Sequence, residues 1–168
     1  MIKIVVAYGR DNRVIGEDGK LPWDRIPADM KHFQMTTKGC PIIMGRKTWE
    51  SMNECPLRNR WNVILTNSSS LPVIPGYDNY IYVRTIEDAL ISAINKRDDI
   101  FVIGGEQVFK QFLDRGLIDE IIATEIKQHY DGDTFFPSLV GNWQKEVIEE
   151  NDVFDIVKYK RGLSDGID

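Results

Sequence analysis

Four groups of residues in this 168-residue chain have types and spacings suited to chemistry. In the first, the apolar run Pro41-Ile42-Ile43-Met44 ends at Gly45 and leads into Arg46-Lys47-Thr48-Trp49-Glu50-Ser51. A strand that empties into a helix start at this point gathers backbone N–H groups, two cations and a hydroxyl, a combination suited to phosphate. The second is Ile103-Gly104-Gly105-Glu106-Gln107-Val108-Phe109, where an apolar run turns through two glycines into a helical pattern. Paired glycines let a ligand approach the backbone closely. The segment is neither a G-x-G-x-x-G fingerprint nor a Walker loop.

The third is Asp29, expected in the first turn of the first helix. The ordinary role for such a carboxylate is to face solvent and favour the helix dipole. The sharper role is a lone carboxylate in an apolar cleft, its pKa raised by desolvation. Such a group can accept two parallel hydrogen bonds from an N–C–NH2 edge and support proton delivery. The fourth is Arg58 and Arg60, ahead of an apolar run at 62–65. They are either solvated surface charge or a fork for a ligand carboxylate. Thr66-Asn67-Ser68-Ser69-Ser70 follows that run, a turn first and a ribose or phosphate contact second.

Apolar runs at 2–8, 41–44, 62–65, 80–83, 100–103 and 118–124 predict strands, with two more at 143–150 and 153–161. Several are continuous rather than alternating, which suits strands covered on both faces. Helical patterns lie between them. Residues 28–36 place Met30 and Phe33 toward the core, with Pro27 suited to the first turn. Residues 86–94 carry one apolar face, with Thr85 as cap and Asp88 three residues on. Residues 106–113 repeat the pattern with Val108, Phe109, Phe112 and Leu113. Alternation of strand and helix predicts an α/β fold with a mostly parallel sheet. Only Asn151-Asp152 separates the last two runs, so these form a tight antiparallel hairpin. The irregular stretch 9–24 carries Gly9, Gly16 and Gly19 beside Val14-Ile15 and Leu21-Pro22-Trp23, a composition suited to a lid that packs on a ligand.

The bulk numbers narrow the classes. Length favours one domain. The 42% hydrophobic and 28% charged content fits a globular protein with a real core. A net charge of −5 disfavours a general nucleic-acid partner. No apolar run approaches the ~20 residues needed to span a membrane, and 1–8 lacks a signal peptide's length and cleavage site. Cys40 and Cys55 form no metal spacing and His32 and His129 add no ligand cluster, so no metal is expected. Two reduced thiols suit a cytoplasmic protein.

Taken together these segments resemble dihydrofolate reductase over residues 1–161. The resemblance is carried by Val14-Ile15-Gly16, Leu21-Pro22-Trp23, Pro27-Ala28-Asp29, Ile43-Met44-Gly45-Arg46-Lys47-Thr48-Trp49, Arg60-Trp61-Asn62, Ile103-Gly104-Gly105 and Gly132-Asp133-Thr134-Phe135-Phe136-Pro137. It implies one eight-stranded, mainly parallel sheet, its last strand antiparallel, flanked by about four helices. Residues 162–168 would form a loose tail. It implies NADPH-dependent reduction of 7,8-dihydrofolate to 5,6,7,8-tetrahydrofolate, by hydride transfer to C6 and protonation of N5. Asp29 would be the active-site carboxylate, Thr124 would extend its hydrogen bonding and Trp23 would help hold an ordered water. Val6, Met30, Phe33, Met52, Leu57 and Ile103 would line the substrate cleft, and Arg60 would hold the glutamate α-carboxylate. For the cofactor, Ala7, Ile15 and Gly16 would seat the nicotinamide. Arg46, Thr66 and Asn67 would face the 2′-phosphate, with Gly45, Leu65 and Arg84 nearby. Lys47, Thr48, Gly104, Gly105, Glu106, Gln107 and Val108 would surround the pyrophosphate, with Gly104-Gly105 matching the family's cis peptide. The family default is a monomer, inhibited by antifolates, with no nucleic-acid or membrane partner.

The chain departs from the family pattern at Leu21, at Asp24-Arg25-Ile26, at Phe109 in place of a frequent tyrosine, and at Arg58-Asn59 before Arg60. The short final hairpin is the largest departure. It implies that lid conformations relying on a longer loop there are absent. Two other readings stand beside the leading one: a same-fold reductase of a riboflavin precursor, and a degenerate protein that binds nucleotide without turnover. Length excludes a thymidylate synthase fusion.

Overall fold

A computed structural model describes residues 1–97 and 99–162. The tail expected at 162–168 therefore lies, apart from Gly162, outside the described residues. The chain runs β1 (Ile2–Gly9), β2 (Val14–Gly16), α1 (Pro27–Thr37), β3 (Ile42–Gly45), α2 (Arg46–Ser51), β4 (Asn62–Leu65) and β5 (Tyr80–Val83). It continues through α3 (Ile86–Ile94), β6 (Ile100–Gly104), α4 (Glu106–Asp114), β7 (Glu120–Ile126), β8 (Thr134–Phe135), β9 (Trp143–Glu150) and β10 (Phe154–Arg161). Eight strands form one sheet in the order β5-β4-β3-β6-β1-β7-β10-β9. The pairs of β1 with β6 and β7, of β3 with β4 and β6, and of β4 with β5 are parallel. The last strand, β10, is antiparallel to both β7 and β9. The expected mainly parallel eight-stranded sheet is present, and a small antiparallel pair, β2 with β8, lies outside it.

The continuous apolar runs are explained by burial on both sides. Ile42, Ile43 and Met44 are all fully buried, although alternate residues point to opposite faces. One face packs Ile4, Ile43 and Val102 against Ile86, Ala89 and Ala93 of α3 and Val108, Phe109 and Phe112 of α4. The other packs Val5, Ile42, Met44 and Phe101 against Trp49 of α2, with Phe33 of α1 alongside. α3 begins as its sequence predicts, since the Thr85 side chain accepts a hydrogen bond from the Asp88 N–H.

Three local expectations need correction. The strand expected at 118–124 is Glu120–Ile126. Ile118 is fully buried but precedes the ladder, because the apolar pattern reports burial rather than where strand pairing begins. The final hairpin turns through Asn151, Asp152 and Val153, so β10 starts at Phe154 rather than Val153. There the Asn151 side chain accepts from the Val153 and Phe154 N–H groups at 2.9 Å each, a turn made by an Asn side chain. Met30 does not face the core: it is 39% exposed. The inward stripe of α1 is instead Asp29, His32, Phe33, Thr36 and Thr37.

Candidate active site

The stripe on α1 repeats at i, i+3, i+4, i+7 and i+8, the spacing of one helix face. Polar groups are unusual in such a stripe, and here only Phe33 is apolar. Asp29 sits in the first turn, which Pro27 opens. The Thr124 hydroxyl donates to Asp29 Oδ1 at 2.7 Å. Thr124 is 2% exposed on β7, where it pairs in register with Ala7 of β1. Burial pushes the Asp29 carboxyl above the usual carboxylate range, and the Thr124 hydrogen bond and the His32 imidazole pull it back.

At the far end of the stripe, Thr37 donates to the Phe33 carbonyl at 2.9 Å and accepts from Arg60 Nη1 at 3.2 Å. Arg60 Nε donates to the Arg58 carbonyl at 2.9 Å, which fixes the guanidinium and commits Arg58's backbone rather than its charge. The helix from Asp29 to Thr37 rises about 12 Å at ~1.5 Å per residue. The cleft therefore has a carboxylate at one end and a guanidinium about one small-molecule length away. Between them Phe33, Met52, Leu57 and Ile103 pack together on the Val5, Ile42 and Met44 face. Val6 stands apart from these four, since its side chain packs with the opposite cluster. Met30 and Leu21 are 39% and 59% exposed.

A second crevice follows the carboxyl ends of the parallel strands, the usual ligand position in open α/β sheets. Gly45, Leu65 and Val83 are in register across β3, β4 and β5. The residue that follows each strand is Arg46, Thr66 or Arg84, so the three lie side by side past the sheet's carboxyl end. Arg84 Nη1 reaches the Asn67 carbonyl at 3.3 Å, and Arg46 Nε pairs with Glu50 at 2.6 Å. The Gly104-Gly105 peptide is cis, as the resemblance implies. A Cβ built on either glycine would stand 3.4 or 3.6 Å from the Thr48 hydroxyl, so Thr48 borders this turn. α4 begins at Glu106 with Gly105 as its cap residue and no side-chain cap, in contrast to α3 with Thr85. The first-turn N–H groups of Glu106, Gln107 and Val108 thus lack the side-chain acceptor that α3 has. At Gly45 a Cβ would lie 2.8 Å from Val108 Cγ2, so this crossing stays open only with glycine.

The stretch 10–24 is tied to the segment 126–138 along much of its length. Asn12 Nδ2 donates to the Tyr130 carbonyl at 2.7 Å, and Arg13 donates to the Phe136 carbonyl and to Ser138 Oγ at 3.2 and 2.6 Å. The Asp133 N–H donates to the Gly16 carbonyl at 3.0 Å, and the Asp18 N–H to Asp133 Oδ2 at 3.1 Å. Gly132 must be glycine for this contact, because a Cβ there would sit 2.4 Å from the Gly16 carbonyl oxygen. Ile15 and Gly16 are held in β2 against β8. Trp23 is 6% exposed, its ring edge-on to Tyr130 at 5.7 Å. Among the described residues, no hydrogen bond joins 10–24 to the hairpin tip at 149–153.

Residue-by-residue reading of the sequence missed His32 and Tyr130. His32 carried no signal except its spacing of three from Asp29. Tyr130 carried none, since its contact with Trp23 spans more than a hundred residues of chain.

Residues 1–160 match the family model for dihydrofolate reductase. The dihydrofolate reductase HdrB of Haloferax volcanii is 37% identical over 167 residues, covering 94% of this chain and 82% of the relative. The dihydrofolate reductase of Haemophilus influenzae is 39% identical over 138 residues, covering 82% and 79%. That of Ureaplasma parvum is 35% identical over 150 residues, covering 88% and 89%.

Proposed function

The chain belongs to the dihydrofolate reductase family, and we propose that its residues carry the family's reaction in the roles that follow. The protein is an oxidoreductase that reduces dihydrofolate to tetrahydrofolate with a nicotinamide cofactor. Asp29 carries the argument: it is a half-buried carboxylate with Oδ1 held by Thr124 and no protein hydrogen bond to Oδ2 among the described residues. Such a group accepts the paired N–H donors of a pterin edge, orients the ring and favours the proton at N5. Thr124 fixes the carboxylate's rotation, and Trp23, buried beside Tyr130, would help hold an ordered water. Phe33, Met52, Leu57 and Ile103 supply apolar walls, whereas Met30 is exposed and Val6 packs on the other face of the sheet. Arg60 forks the terminal carboxylate of the substrate.

The second crevice is the dinucleotide site in this reading, which the uncapped start of α4 and the glycine crossing at Gly45 support. The nicotinamide, when bound, supplies the hydride. Ala7, Ile15 and Gly16 would seat that ring. Lys47, Thr48, Gly104, Gly105, Glu106, Gln107 and Val108 would hold the pyrophosphate through backbone N–H groups, a hydroxyl and one cation. Arg46, Thr66 and Asn67, with Gly45, Leu65 and Arg84 beside them, would take a 2′-phosphate and so select NADPH. The Arg46–Glu50 pair is no obstacle: both side chains are exposed, and such surface pairs contribute little. Residues 14–23, as a lid, would exclude bulk water from the reacting rings. We further propose one domain over 1–161, a monomer, competition by antifolates at the Asp29 cleft, and a cytoplasmic setting suited to the two free cysteines.

The test follows loss of nicotinamide absorbance on mixing purified protein with dihydrofolate and either NADPH or NADH. Rapid loss with NADPH and slow loss with NADH is the expected result, and Arg46→Gln should narrow the difference. No loss with either, but turnover of a riboflavin-precursor aminopyrimidine, would replace the substrate assignment.

A further inference from the structure

Outside the two clefts, a cluster of titratable side chains bridges the lid to the segment beside it. His129 Nδ1 lies 2.6 Å from Asp11 Oδ2, and its Nε2 lies 3.0 Å from Asp131 Oδ1. Ionised carboxylates only accept, and a neutral imidazole has a single N–H. Both contacts can therefore be made at once only by an imidazolium, which carries an N–H on each ring nitrogen. The charges agree with the geometry. Hydrogen bonds to Asp11 and then to Asp131 hold the His129 imidazole above its ordinary range, and the bond from His129 holds the Asp11 carboxyl below its own.

Position gives the cluster its consequence. Asp11 stands at the root of the stretch 10–24. Before it, the Arg10 N–H donates to the Ile126 carbonyl at 2.9 Å, and after it, the Asn12 side chain donates to the Tyr130 carbonyl. Tyr130, between His129 and Asp131 in the chain, sets its ring edge-on to Trp23 near the other end of the lid. Residues 129–131 thus grip the lid at both ends. The charged groups around them are engaged elsewhere. Arg10 and Lys127 pair with Asp155 of β10. Asp133 accepts from the Asp18 N–H and the Thr134 hydroxyl, and Arg13 donates to the Phe136 carbonyl and Ser138. These ties contain no other imidazole, so His129 is the member whose charge changes near neutrality.

We propose that His129 is a pH-sensitive latch on the lid: as an imidazolium it clamps the lid's root, through Asp11, to the segment that braces Trp23, and loss of its proton loosens both. Deprotonation removes one N–H donor and the charge that strengthens the other. Because the folded imidazole titrates above its ordinary value, the clamp is fully present below ~6.5 and is lost as pH rises through the raised value. The three side chains are exposed, so the clamp is modest and salt weakens it. The inference rests on the lid role given to residues 14–23, but its first test needs neither cofactor nor turnover.

Fluorine NMR of the full chain carrying fluorinated tryptophan follows Trp23 through a pH titration, its resonance assigned with Trp23→Phe. The titration is run on the parent, His129→Gln, Asp11→Asn and Lys110→Gln, the last a change in an exposed pair on α4. In the parent and in Lys110→Gln the Trp23 resonance should move in one step at the midpoint of the His129 ring protons, above ~6.5. The step should vanish in His129→Gln and Asp11→Asn and shrink in high salt. A Trp23 resonance that stays fixed while His129 titrates would overturn the proposal, as would a step that survives either substitution, or a His129 midpoint at or below the ordinary value. If one variant does not fold, the other decides alone. With cofactor, NADPH release from His129→Gln should be about two- to fivefold faster than from the parent at acid pH, the ratio falling to unity above the His129 midpoint. Taking the ratio cancels the titration of the cofactor's own phosphate, and a ratio of unity throughout would also overturn the latch. Failure to bind NADPH would count against the functional reading and leave the fluorine titration to decide.

Discussion

Thr124 and Glu125 are neighbours on β7, and they point to opposite faces of the sheet, each of which holds a sheltered carboxylate there. Thr124 reaches Asp29, whose second oxygen has no protein hydrogen bond among the described residues. Glu125, 5% exposed on the other face, accepts from Tyr8 at 2.8 Å, from Lys145 at 3.0 Å and from Tyr159 at 3.4 Å. Burial, reinforced by the adjoining Glu125 carboxylate, pushes the Tyr8 phenol far above its ordinary range, so it remains a donor. The lesson is one of satisfaction. A buried carboxylate with all its partners holds a fold together, while one left half-satisfied keeps its remaining capacity for a ligand.

The largest effect that could break this contrast is Asp29→Asn. Turnover at neutral pH should fall by about a hundredfold or more, with cofactor affinity nearly intact. The same variant should be at least as stable as the parent. Asp29's folded pKa is raised, so its contribution to stability is present below the ordinary carboxylate pKa near ~3.9 and is lost as pH rises through the raised value. Thermal midpoints should therefore diverge in favour of Asn as pH climbs from acid to neutral. A collapse of cofactor binding would show that Asp29 is misassigned.

Glu125→Ala should do the reverse. It should lower stability by about 2 kcal/mol, discounted because Lys145 is 45% exposed. In urea titrations the midpoint would shift while kcat/KM stayed near the parent's. A rate loss as deep as that of Asp29→Asn would end the distinction between the two carboxylates.

Two single-hydroxyl deletions sharpen it. Thr124→Val should raise the Asp29 titration midpoint further and lower turnover by up to about tenfold. Tyr8→Phe should cost about 1 kcal/mol of stability and leave the rate alone. Parallel rate and stability measurements on both variants would place each hydroxyl with its carboxylate, and equal rate losses would not.

Much of this arrangement was legible in the chain. The apolar runs marked the strands, and Thr85 with Asp88 marked the start of α3, because capping is a local hydrogen bond. Gly132 was recognisable as part of a block, but the reason for it, that a Cβ there would sit 2.4 Å from the Gly16 carbonyl oxygen, required residues more than a hundred apart to meet. Met30 and Val6 were harder. One residue of helical phase moved Met30 to the solvent side, and strand alternation put Val6 on the face opposite Val5. Apolar character reports that a side chain prefers burial, not which cleft it will line.

The layered α/β plan and the placing of glycines and cations at strand ends were already written in the chain. Those follow from periodicity, turn chemistry and side-chain type, all of which act over a few residues. It took the packing of distant segments to draw Asp29 from solvent onto Thr124, to bring Glu125 its donors on β1, β9 and β10, and to leave the His32 Nε2 without a hydrogen-bond partner. Burial and the partners that answer it are properties of packed surfaces, and a carboxylate's chemistry is set by which of its oxygens that packing leaves unanswered.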